Sequence, residues 1–115
     1  MNTTRIAGIA GITITITADN TSNALVADGS LPMSADVGGQ TGAGIVAILI
    51  TCETYQVRFT HGVAVTNSTG HILFVNQSLL IENPASIRSF RYINDTDGEN
   101  GVLRVTPYYG RLSAK

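Results

Sequence analysis

The chain has 115 residues, enough for one folded core and short of two. Ile, Val and Thr supply 35 of them while Lys occurs once, as Lys115, so β-branched residues dominate and an all-β domain is the first expectation. Only 13% of residues are charged and the net charge is −1, which excludes the basic surface of a nucleic-acid binder and the charge-rich composition of a disordered chain.

Punctuation by turn residues divides the chain into eight candidate strands. Ile12 to Thr17 is a strict Ile/Thr alternation, which puts the isoleucines on one face and the threonines on the other. A signal-peptide core is a continuous apolar helix, so this stretch reads as a strand and not as a leader. Ala24 to Asp28 is the second strand, closed by Asp28-Gly29. From Gly29 to Gly44 runs a 16-residue glycine-rich segment that reads as a long functional loop, an arm able to order against a neighbour through Pro32 and Met33.

Ile45 to Thr51 is nearly all apolar, the signature of a strand covered on both faces, and it is too short to cross a bilayer as a helix. No membrane partner is expected. Thr54 to Thr60 alternates again, with Tyr55, Val57 and Phe59 on one face. His71 to Val75 and Leu79 to Glu82 follow, the latter stopped by Asn83-Pro84. Ser86 to Ile93 carries Ile87, Phe90 and Ile93 at helical spacing, yet the β context favours a turn leading into a strand. The eighth strand, Val102 to Tyr109, follows the turn dipeptides Asp97-Gly98 and Asn100-Gly101, and Pro107 within it predicts an edge strand or the end of a ladder. Eight short strands suit a jelly-roll-like β-sandwich, with a Greek-key barrel as the alternative. The organisation expected is an N-terminal arm over residues 1–10 and one sandwich domain over 11–115.

Chemistry is sparse. Cys52 is the one cysteine, so no internal disulfide forms. His61 and His71 both adjoin glycine and offer no local zinc spacing or nucleophile signature with Cys52. The turn from Asp95 to Asn100 has the look of a calcium loop, but with Gly98 at the glycine position Ile93 and Arg104 fall where the first and last ligands belong. Gly38 to Gly44 lacks the Gly-Lys-Ser/Thr of a phosphate loop. Five Asn-X-Ser/Thr sequons read as chance matches in an Asn- and Thr-rich chain. No enzyme and no cofactor is expected.

Charge is distributed unevenly: residues 1–57 hold one basic and four acidic groups, residues 58–115 six basic and four acidic. Such a tilt suits docking between protein subunits. Arg88 and Arg91 flanking Phe90 form the leading candidate anchor, because arginine and aromatic residues are favoured at interface centres.

Tyr55-Gln56-Val57-Arg58-Phe59, Gly70-His71-Ile72-Leu73, Leu79 to Pro84, Ile87, Phe90-Arg91-Tyr92-Ile93 and Val102 to Thr106 together resemble small β-rich virion proteins of tailed bacteriophages. The order shared is an extended strand, a glycine-hydrophobic segment, Ile-Arg-x-Phe-Arg and a final strand, over residues 53–109. The resemblance implies a decoration or cement protein, made in the host cytoplasm, that binds between major capsid protein subunits on the virion surface as a homotrimer. Neck or tail placement is the alternative within that class. A carbohydrate-binding host-attachment module, with Tyr108 and Tyr109 as sugar platforms, is the alternative outside it.

Overall fold

A computed structural model describes residues 8–37, 39–63, 65–66 and 68–110. It holds ten strands and one short helix: β1 (Ile9–Ala10), β2 (Ile14–Ala18), β3 (Asn23–Ala24), β4 (Ser34–Val37), β5 (Gln40–Glu53), β6 (Val57–His61), β7 (His71–Leu73), β8 (Ser78–Ile81), α1 (Pro84–Ser89), β9 (Phe90–Asn94) and β10 (Gly101–Tyr109). Two antiparallel sheets face each other as an all-β sandwich. In the first, β10 pairs with β5 on one side and with both β1 and β2 on the other, while β5 carries β4 along its start and β8 along its end. The second runs β3-β9-β6-β7.

The period-two patterns do what the sheet requires. In β2, Ile16 and Ala18 are buried and Thr15 and Thr17 are exposed. In β10 every odd residue from Gly101 to Tyr109 is buried. The core between the sheets gathers Ile48, Ile50 and Cys52 of β5, Leu103 and Val105 of β10, Val57 of β6, and Phe90 and Tyr92 of β9. Along β5 the inward set changes from even numbers to Ile45 and Ala43, because the register with β10 slips between Tyr108 and Tyr109. One extra residue at this bulge moves the following side chains to the opposite face.

Several expectations need correction. The segment Gly29 to Gly44 is not a loop throughout: β4 and the start of β5 form a hairpin in register Ser34↔Gly44 and Ala35↔Ala43. Gly39 takes φ +80°, a conformation open to glycine, and so closes the turn within two residues. Of Ala24 to Asp28 only Ala24 lies in a strand. The Asp28 carboxylate accepts from the Ala24 amide (2.6 Å) and the Ala24 carbonyl accepts from Asp28 and Gly29, which curls the chain into a turn.

Ser86 to Ile93 divides into the end of α1 and most of β9. Asn83 acts as N-cap, its side chain accepting from Ala85 N–H (2.8 Å) and Ser86 N–H (3.4 Å), and Pro84 fits the first helical turn, where no donor is needed. Nor is β10 an edge strand. Gly11 donates to the Pro107 carbonyl (2.8 Å), so the ring nitrogen of Pro107 faces the same side, where residues 11–13 separate β1 from β2 and the ladder has a gap. Of the expected N-terminal arm, Ile9 and Ala10 pair with Tyr109 and Tyr108, and residues 1–7 lie outside the described residues.

Candidate functional site

Two hollows of the described surface bear on the candidate residues. The larger, about 550 Å³, is mostly apolar and is lined by Gly11, Ile12, Ile14, Pro32, Ala35 and Tyr109 among others. Tyr109, the last residue of β10, donates its hydroxyl to the Pro32 carbonyl (2.8 Å) and so ties the sheet to the connection between β3 and β4. Burial holds the Tyr109 phenol above its ordinary pKa, so this donor stays protonated at physiological pH. Ile12 stands at the rim, 85% exposed.

The smaller hollow, about 190 Å³, lies beside the β9–β10 turn, with Tyr55, Gln56, Val75, Asp95 and Glu99 in its wall. The Asp95 carboxylate accepts from Gln56 Nε2 (2.7 Å) and from Arg58 Nε (2.6 Å). The Gln56 hydrogen bond first, and the Arg58 hydrogen bond and charge after it, hold Asp95 below the ordinary carboxylate pKa against the opposing effect of partial burial. Asp95 is thus committed to two side chains, and among the described residues no group of three or more His, Cys, Asp or Glu is placed to hold a metal ion.

The sequence-chosen residues scatter. Arg88 is exposed on α1. Phe90 is fully buried and stacked on Phe59 with ring centroids 5.3 Å apart, so it is a core residue and not a surface anchor. The period of two along β9 explains this: Phe90 and Tyr92 share the inward face. Arg91, on the other face of β9, is half-buried and held by the chain before β3, with Nε donating to Ser22 Oγ and Nη2 to the Ser22 carbonyl, both at 3.0 Å. Pro32 is exposed, Met33 packs partly against the core and accepts from Ile45 N–H (2.8 Å), and Tyr108 is half-buried. Pro32 and Tyr109 of this set meet across the fold, in the larger hollow. Tyr109 is itself buried, so its ring is not an open sugar platform.

Cys52 is buried and donates to the Tyr55 carbonyl (3.2 Å); desolvation pushes its thiol up to about 11, away from the thiolate that nucleophilic chemistry needs. Reading from sequence alone passed over Ile12 and Ile14 as site residues, although their alternation with threonine was plain. Comparisons with protein families, with curated proteins and with solved structures each found no match.

Proposed function

We propose that this chain is a structural subunit of a virus particle, a decoration or cement protein that binds between major capsid protein subunits and reinforces the shell. The observation that carries the reading is the pairing of strands. With β1 and β4 set aside, the first of the remaining eight pairs with the last (β2 with β10), the second with the seventh (β3 with β9), the third with the sixth (β5 with β8) and the fourth with the fifth (β6 with β7). Nested pairing of this kind supports reading the sandwich as a jelly roll, an architecture of capsid domains and of lectins.

The low charge and the β4–β5 hairpin, exposed at Asp36, Gly39, Thr41 and Gly42, suit a part that binds other protein, and the homotrimer belongs to the same proposal. The lectin reading has less behind it, because Tyr109 is buried and Tyr108 half-buried. The test is to add the purified chain to capsids assembled without it. Saturable binding and a rise in the temperature at which the capsids release their genome are expected. No binding, together with virions equally heat-resistant with and without the chain, overturns the proposal.

A further inference from the structure

The outer edge of β2 is unlike the other sheet edges. Edge strands expose unpaired backbone donors and acceptors, and folded proteins protect them by shortness, charge or proline. Here β3 has two residues and β7 three; β4 has four, with Asp36 among them; β8 has four and runs into Glu82-Asn83-Pro84. The edge formed by β1 and β2 spans Ile9 to Ala18 and holds neither a charged residue nor a proline. Among the described residues β2 has β10 as its one strand partner.

We infer that this edge pairs with the same edge of a second copy of the chain, antiparallel about a two-fold axis at Thr15. The sequence is self-complementary in that register. With Thr15 opposite Thr15, Ile14 falls opposite Ile16, Thr13 opposite Thr17 and Ile12 opposite Ala18, so every apolar residue meets an apolar residue on the inner face and every threonine a threonine on the outer. A period of two reads the same in both directions, which is the condition for a two-fold contact between identical strands. The segment between Gly8 and Ala18 carries no charge of its own, and the cation nearest the axis, Arg104 on Thr15 (3.1 Å), is paired with Glu53 (2.9 Å), which offsets the repulsion between the two copies of it.

The pairing also accounts for Ile12. Its side chain is 85% exposed and borders the apolar hollow beside Ile14; Ala18, opposite it in this register, is fully buried in its own chain, so Ile12 marks the end of the paired segment and packs along the rim of the second copy. Thr13, Thr15 and Thr17 are exposed on the opposite face; Thr13 Oγ1 bonds Thr106 Oγ1 (2.6 Å) and Thr15 Oγ1 accepts from Arg104 (3.1 Å), so the outer row meets its copy through methyl groups and backbone.

The inference goes beyond the proposed function and stands apart from it. A two-fold contact gives a dimer, or joins two trimers into a hexamer, so even-numbered species are expected in sedimentation equilibrium as the concentration rises. Ile12→Lys, at a position exposed in the single chain, should return the mass to that of the odd-numbered or single species.

Register is read by cross-linking. Thr15→Cys places two thiols directly opposite, at about 4.5 to 5.5 Å between Cα atoms, within disulfide reach, and should form a covalent dimer under a mild oxidant. Thr13→Cys puts the thiols four residues out of step, roughly 13 Å apart, and should not. Cys52 is fully buried and does not compete. Monomer or trimer alone at all concentrations overturns the inference, as does cross-linking of Thr13→Cys as readily as Thr15→Cys. Capsid binding without even-numbered species overturns this contact and leaves the shell role intact; even-numbered species without capsid binding do the reverse.

Discussion

Tyr109 and Pro32 are joined by a hydrogen bond of 2.8 Å across 77 positions of sequence, from the phenol at the end of β10 to the carbonyl that precedes β4. Among the described residues it is the one side-chain hydrogen bond between β10 and the segment that carries the hairpin, and both residues line the larger hollow. Tyr109→Phe keeps the ring and removes the donor. A loss of about 1 kcal/mol in urea unfolding is expected, the usual net worth of one such bond. Tyr109→Ala should cost roughly 3 to 5 kcal/mol, because it also empties a buried aromatic site. Equal midpoints for wild type and Tyr109→Phe would mean that packing alone holds this connection.

Phe90 and Arg88 were paired by sequence as one anchor, and the fold separates them. Phe90, the C-cap of α1, stacks on Phe59 in the core, and Arg88 is exposed. Phe90→Ala should therefore destabilise the chain by roughly 3 to 5 kcal/mol, whereas Arg88→Ala should stay within about 0.5 kcal/mol in the same denaturation experiment. The comparison also guides any binding assay: a defect in Phe90→Ala reports lost folding, and a defect in Arg88→Ala with an unchanged midpoint reports a lost contact.

How much of this was legible in the sequence depended on whether the signal was local. The alternation of β2 is local, and so are the turn dipeptides that announce β10. Asn83-Pro84 was read as the stop of β8, which it is, but the same dipeptide caps and opens α1. Ile87 and Phe90 at helical spacing were the remaining clue. The bulge opposite Tyr108 and Tyr109 has no local sign, because it answers to pairing with a strand more than fifty residues away. The larger hollow was illegible for the same reason: Ile12, Pro32 and Tyr109 converge only once β10 lies between its two partners.

The Asp95 carboxylate connects acid stability to one contact. Its folded pKa lies below the ordinary value of about 3.9, so the contact contributes fully above that pH and is lost as pH falls through the lowered folded value. Urea midpoints followed from neutral to acid pH should therefore fall for the wild type as Asp95 protonates. Asp95→Asn should start lower at neutral pH, since Arg58 keeps its charge without its partner, and should show a shallower acid limb. Parallel curves for the two proteins would place the acid sensitivity in other carboxylates.

Gly98 and Gly101 sit three residues apart in the turn into β10 and should respond to alanine for different reasons. Gly98 has φ +83° and open space around it, so Gly98→Ala meets backbone strain alone, about 1 to 2 kcal/mol. Gly101 needs no unusual φ; a Cβ there would stand 2.5 Å from Val57 Cγ1 and closer still to the Tyr55 carbonyl oxygen. That oxygen belongs to the chain entering β6 and also accepts from Cys52 Sγ, so yielding to the new methyl would disturb the tie between the two sheets. Gly101→Ala should thus cost more than Gly98→Ala, up to roughly 3 kcal/mol. It should also open the smaller hollow, where Tyr55 and Asp95 face each other, which faster amide exchange at Val57 relative to Gly98→Ala would report.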